Sequence, residues 1–308
     1  MEQGRVLIAI ALSFAVFFVW NFFFVEKPEV GQQPAEMTEP AAENKPLPTT
    51  ASSSDAPDKA PGTFVAAEKA SSKEVAEARI ITVKTPLYTV HFSEDGAVFK
   101  GFELENYRES ADKNAARKNL LDPEISNQNM KVSLAGNALP GLETAVFEAD
   151  DPGDMIAVTN MERTLTFTWQ SESGVVVEKQ FTFSPDTYLI DLGLVFRNGS
   201  GNGFTDRAMV EIQHALPQKK GGYAFEGPSV LLNGKLEQIK VKKIEDNNRL
   251  SGSLSWLAIE DRYFMRSLIP AEPVDGVVRL DVKDDGVVTG QLQLPERTFM
   301  PGESVSYG

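Results

Sequence analysis

The side chains that could do covalent chemistry are few. His91 and His214 are the only two histidines, and the chain has no cysteine, which excludes thiol catalysis, thiolate zinc and a disulfide framework. A pair of histidines on a β-sheet could move protons on a sugar, as an aldose epimerase does, but no carboxylate can be assigned from sequence to orient either ring. His91 alternates within a strand pattern and His214 ends one just before Pro217, so both read as structural or surface residues. Glu245, Asp246, Asp281, Asp284 and Asp285 offer calcium-type oxygen ligands, yet none has EF-hand spacing. No P-loop, Rossmann glycine pattern, nucleophile elbow or zinc signature occurs. No catalytic residue, cofactor or metal ligand is therefore expected. Lys219-Lys220 followed by Gly221-Gly222-Tyr223 reads as a solvated hairpin tip, with a phosphate or partner contact as the other reading. The apolar cluster Trp256, Leu257, Tyr263, Phe264, Leu268 and Ile269 is expected to pack the core, with a partner-binding patch as its alternative.

The elements that must position these residues begin with Val6 to Val25, VLIAIALSFAVFFVWNFFFV, twenty residues interrupted only by Ser13 and Asn21. As a helix the run reaches roughly 30 Å, the thickness of a bilayer's hydrocarbon core. Fourteen of its residues are Val, Leu, Ile or Phe, so insertion gains on the order of 6 kcal/mol before the modest penalties of Asn21 and Ser13. No polar face appears at helical spacing, which argues against a buried soluble helix. Arg5 precedes the run while Glu26, Lys27 and Glu29 follow it, so positive-inside logic keeps the short leader in the cytoplasm and sends the rest across. The run ends in Trp20, Asn21 and three phenylalanines rather than a small-residue cleavage site, which favours an uncleaved anchor over residues 1–25.

Residues 26–78 change to Pro, Ala, Glu, Ser, Thr and Lys, too poor in apolar side chains to offset their conformational entropy; a disordered periplasmic tether is expected. The formal net charge of −14 disfavours nucleic acid, or a broad anionic lipid surface, as the main partner of the exported part.

After Arg79 the period switches to two. Strands are expected over residues 79–84, 87–92, 97–104, 130–135, 145–148, 155–159, 164–169, 175–184 and 188–197, with Glu105 to Asn119 as an exposed loop or short helix between them. Further strands are expected over residues 206–213, 223–225, 236–242, 254–258, 264–269, 276–282, 287–294 and 303–307. Leu165, Phe167 and Trp169 point one way while Thr164, Thr166 and Thr168 point the other, the pattern of an antiparallel sheet with one packed face and one wet face. So many strands with almost no helix call for two large sheets face to face over 79–308, because one open sheet of that size would curl or split.

This layout resembles the YidC-type membrane protein insertases, relatives of the mitochondrial Oxa and chloroplast Alb proteins. The similarity lies in the leader MEQGRVLIAIALSFAVFFVW, the low-complexity tether, the opening ITVKTPLYTVHFSEDGAVFKGFELENYRE, and the segment YAFEGPSVLLNGK. It continues in SWLAIEDRYFMRSLIP, where Trp256, Tyr263, Phe264 and Pro270 match the family's tryptophan, Tyr-Phe pair and closing Ile-Pro, and in the ending MPGESVSYG. The resemblance implies a mainly β chain: an N-terminal transmembrane helix, then a two-sheet antiparallel β-supersandwich, galactose-mutarotase-like. It implies an inner-membrane chaperone and insertase without covalent chemistry, whose partners are the lipid bilayer through residues 6–25, client inner-membrane proteins and Sec translocon accessory subunits. The family's insertase groove lies in five further helices; the chain is expected to be the amino-terminal portion of a longer protein, and no groove residue is present to name. The alternatives are an anchored carbohydrate-binding or aldose-epimerase-like protein, or a purely structural envelope protein.

Overall fold

In Val175–Phe183 every second side chain, from Val175 through Val177, Lys179 and Phe181 to Phe183, is buried, and this period of two recurs throughout the folded part. The computed structural model describes residues 78–121, 129–216, 224–283 and 286–308. The expected anchor, nearly all of the expected tether, the Lys219 to Tyr223 loop, Asp284 and Asp285 lie outside the described residues. Among the described residues no helix is long and apolar enough to cross a membrane.

The strands, in chain order, are β1 (Ile80–Lys84), β2 (Tyr88–Ser93), β3 (Val98–Arg108), β4 (Arg117–Asn119), β5 (Lys131–Leu134), β6 (Glu148–Ala149), β7 (Met155–Ala157), β8 (Arg163–Gln170), β9 (Val175–Phe183) and β10 (Ile190–Asn198). They continue as β11 (Phe204–Asp206), β12 (Ala208–Ala215), β13 (Gly227–Leu232), β14 (Lys235–Gln238), β15 (Arg249–Glu260), β16 (Met265–Leu268), β17 (Val274–Val282), β18 (Val287–Gln293), β19 (Arg297–Phe299) and β20 (Ser304–Tyr307). Pairing groups them into a five-stranded sheet β4-β3-β2-β1-β7, a second five-stranded sheet β20-β10-β9-β8-β6, and a β11-β19 ribbon. The largest sheet runs β14-β13-β15-β17-β18-β12-β5, with β16 also on β15. All described pairs are antiparallel except β1 with β7. The expected mainly β architecture is observed, divided among more sheets than two.

The two five-stranded sheets meet through aromatic rings. Phe92 on β2 lies 5.4, 4.8 and 5.8 Å from the rings of Phe167, Phe181 and Phe183 on β8 and β9, and all four are buried. Lys179 occupies a core position in the same inward row of β9. Its Nζ donates to the carbonyls of Gly96 (3.0 Å), Ala97 (2.6 Å) and Met130 (2.6 Å), and lies 5.7 and 5.6 Å from the rings of Phe147 and Phe181. Ala97 and Met130 have φ of 46° and 67°, so both left-handed residues turn a carbonyl onto this ammonium. One side chain thus ties β9 to the turn before β3 and to the residue before β5, linking three sheets. Burial pushes its pKa well below that of an ordinary lysine.

Several expectations change in the structure. Glu105 to Asn119 is not a plain loop or helix: β3 runs on to Arg108 and pairs with β4, held by an Arg117–Glu105 ion pair of 2.6 Å. The strand expected over residues 236–242 ends at Gln238 and passes into a 3₁₀ turn, Val241–Lys243: the Ile239 N–H still reaches the Pro228 carbonyl at 2.9 Å, but Pro228 has no N–H to return and the ladder stops there. Described residues 224–225 of the strand expected over 223–225 are not in a strand; β13 instead runs Gly227–Leu232, with Pro228 inside it. Trp256 is half-buried and is not part of the core. A bulge between Leu231 and Leu232 sets Leu231 opposite Trp256 but Leu232 opposite Leu254, so the side-chain alternation of β15 slips by one. Leu254, Leu257 and Ile259 then share the core, and Trp256 turns to the other face.

Candidate functional site

An apolar cleft of about 610 Å³ opens where β3, the start of β10 and β16 converge. Phe99, Phe102 and Leu104 of β3 form one wall, Tyr188, Leu189 and Ile190 a second, and Phe264, Met265, Ile269 and Pro270 a third. The walls are braced by rings: Tyr88 stacks on Phe102 at 4.7 Å and approaches Tyr188 at 6.2 Å, and Tyr107 meets Phe264 edge-on at 5.5 Å. The rim stays open to solvent, with Leu189 62%, Ile269 56% and Met265 52% exposed. Apolar side chains concentrated on one opening in this way mark a binding surface more often than chance exposure.

Backbone groups face the same opening. Strand β10 pairs with β9 along Ile190 to Asn198, but with β20 only from Leu194 to Arg197. The Asn198 N–H donates to Glu303 O on the β20 side at 2.9 Å. By the same two-residue alternation Leu192 and Ile190 turn their N–H and C=O to the β20 side, and Ile190 lines the cleft. The cleft is thus an apolar trough at the junction of three sheets.

A polar knot fixes the third wall. Arg266 on β16 donates to the Gln213 carbonyl at 2.6 Å and to the Leu120 carbonyl, and lies 2.5 Å from His214 Nδ1. His214 Nε2 sits 3.5 Å from Asp261. Burial, and secondarily the Arg266 charge, push the His214 pKa down to about 4, so the ring is neutral near pH 7 and serves as an acceptor for Arg266.

The residues singled out in the sequence are scattered. His91 bonds Thr82 Oγ1 at 3.0 Å on β2, in a different sheet from His214, and neither lines the cleft. The geometry that a histidine-pair epimerase needs is absent among the described residues. Asp246 pairs with Lys243 at 2.7 Å, and no cluster of described histidines and carboxylates could hold a metal. The 256–269 cluster divides: Leu257 and Leu268 enter the core, Tyr263 is 76% exposed, and Phe264 and Ile269 line the cleft. Sequence reading passed over Tyr107, Tyr188 and Leu189. Tyr188 and Leu189 fall within the alternating strand expected over 188–197, whereas β10 begins only at Ile190 and leaves both on the cleft.

Residues 80–308 match the family model described as the YidC periplasmic domain. Similar proteins include "Membrane protein insertase YidC" of Syntrophus aciditrophicus, 30% identical over 73% of this chain and 42% of that protein. The protein of the same name from Geobacter metallireducens is 28% identical over 99% of this chain and 55% of its own length. The chain spans about half the length of the curated relatives it matches. These relatives are named insertases rather than enzymes. Among solved structures, a galactose mutarotase related enzyme from Lactobacillus acidophilus shares the fold, with a TM-score of 0.53 at 11% identity over 74% of this chain and 95% of that one. That likeness concerns architecture and carries no activity. With the family model matched from the first described strand to the last, the chain belongs to the YidC periplasmic domain family.

Proposed function

We propose that this chain is the anchor, tether and periplasmic β-supersandwich of a membrane protein insertase in the bacterial inner membrane. Residues 1–25 hold the amino terminus in the cytoplasm and span the bilayer, residues 26–78 give reach, and residues 79–308 work outside the membrane. The observation that carries the role of the folded part is the apolar cleft walled by β3, the start of β10 and β16. An insertase lowers the desolvation cost of moving polar chain into lipid. Before or after that transfer, an extended apolar client segment exposed to water needs cover. The cleft supplies it: each apolar side chain buried against Phe99, Tyr188 or Ile269 adds about 1.5–3 kcal/mol. Periplasm-exposed subunits of the Sec translocon are the second class of partner, approaching the same exposed rim.

The test is photo-crosslinking in the full-length protein. A benzophenone side chain at Leu189 or Ile269 is expected to capture a stalled single-span inner-membrane client. The same group at Met161, exposed but not lining the cleft, is expected to give none. Equal capture at Met161, or none at either cleft position, refutes the docking role. Carbonate extraction tests the anchor: release of the chain into the soluble fraction refutes it.

A further inference from the structure

The face of the largest sheet turned away from the core carries a second, polar groove of about 530 Å³. Its residues alternate along β12, β17 and β18 with buried Ile212, Val278, Leu280, Val288 and Leu292, which places them together on the outer face. Register builds a continuous row across it: Arg249 lies opposite Arg279, Arg279 opposite Gln291, Gln291 opposite Glu211, and Glu211 opposite Lys131. The next row is Asp281, Thr289 and Gln213.

We propose that this groove binds a phosphate ester carrying hydroxyl groups, with Arg249 and Arg279 gripping the phosphate. Like charges directly opposite one another on paired strands destabilise a sheet. Yet these two guanidinium groups stand as cross-strand neighbours, and among the described residues no carboxylate forms an ion pair with either. In the other facing pair, Arg108 and Arg117 across β3 and β4, Arg117 holds Glu105 at 2.6 Å, whereas neither Arg249 nor Arg279 holds a described carboxylate. An oxyanion between two guanidinium forks removes the repulsion and fills donors that the protein leaves empty.

The floor is built to be rigid. Gln213 and Thr289 are 3% and 6% exposed. The Gln213 amide donates to Glu211 Oε1 (3.0 Å) and Thr289 Oγ1 (3.1 Å), and the Gln291 amide donates to Glu211 Oε2 at 2.7 Å. Both Glu211 oxygens are thereby committed. The amide oxygens of Gln213 and Gln291, the Thr289 O–H and the Asp281 carboxylate are left to meet ligand hydroxyls, which suits a glycerol or sugar phosphate better than a bare anion. The volume fits a small molecule. The overall acidity of the chain argues against a broad membrane-binding face, so recognition is confined to one headgroup-sized ester. This inference is independent of the insertase reading.

The test uses the full 308-residue chain in neutral detergent at low salt. Isothermal titration with glycerol 3-phosphate and with inorganic phosphate covers a soluble ester. Flotation with phosphatidylglycerol against phosphatidylcholine vesicles covers a lipid headgroup. The wild type and Arg163→Gln, an exposed site on a different sheet, are expected to bind glycerol 3-phosphate alike. The Arg249→Gln/Arg279→Gln pair is expected to bind about tenfold or more weakly, the loss of at least one charge-assisted contact. If the pair does not fold, Arg279→Gln alone carries the comparison. Arginine-dependent flotation on phosphatidylglycerol assigns the ester to lipid, and arginine-dependent titration with flotation that does not depend on the arginines assigns it to a soluble metabolite; either supports the site. Absence of binding to every probe, or binding unchanged in the arginine variants, overturns it.

Discussion

Replacing Lys179 by Met removes the ammonium that three main-chain carbonyls share. Because those acceptors belong to Gly96, Ala97 and Met130, the substitution cannot remove them along with the charge. Each buried acceptor left without a donor costs about 1–3 kcal/mol. Opposing this, the variant no longer buries a charge, a penalty of several kcal/mol for a lone ion that the carbonyls already reduce in the native protein. Methionine also fills most of the volume and adds apolar contact with Phe147 and Phe181. Two left-handed residues, Ala97 and Met130, lose the contact that holds their carbonyls inward, and their conformations cost about 1–2 kcal/mol each. We expect a net destabilisation of about 3 kcal/mol. For a domain of this size that lowers the melting temperature by about 6–12 °C. Thermal unfolding followed by near-ultraviolet circular dichroism reads it directly. A Lys179→Met variant melting within about 2 °C of the wild type would show that burial of the charge cancels the carbonyl cradle, and that the three sheets are joined by aromatic packing alone.

Other outcomes follow from the same structure. Leu257→Ala, at a fully buried site, should cost about 2–5 kcal/mol, while Trp256→Ala, on the opposite side of the bulge, should cost less than Leu257→Ala; the reverse order in denaturant midpoints would contradict the slipped alternation of β15. Burial lowers the His214 pKa to about 4 from the 6.5 of a free imidazole, so unfolded chain takes up the proton first. Its stabilising contribution is present above pH 6.5 and is lost as pH falls toward 4, about 3 kcal/mol in all; His214→Gln should flatten melting temperature over that window, and parallel curves would refute the assignment. Tyr307 is pushed up to about 12 by burial, so its contribution is intact below pH 10 and lost above it. Tyr307→Phe should retain more stability than the wild type at pH 11, measured by chemical denaturation.

The sequence by itself determined most of the strands, because burial of one sheet face imposes a two-residue period that is written locally. Thr164 to Trp169 and residues 175–184 are legible for that reason, as is the mainly β class. The family resemblance was equally local, carried by short runs such as SWLAIEDRYFMRSLIP. Pairing partners were not legible. The strand at Gly227–Leu232 exists because neighbours on both sides satisfy its backbone despite Pro228, and the bulge that turns Trp256 away from the core depends on a strand more than twenty residues distant. The two candidate sites are likewise products of register. Tyr188, Phe102 and Ile269 converge only when three elements from separate sheets meet, and Arg249 faces Arg279 only because β15 and β17 pair in one alignment out of many. A side chain's face is decided by its immediate neighbours along the strand, but its company is decided by which distant strands bring it into contact.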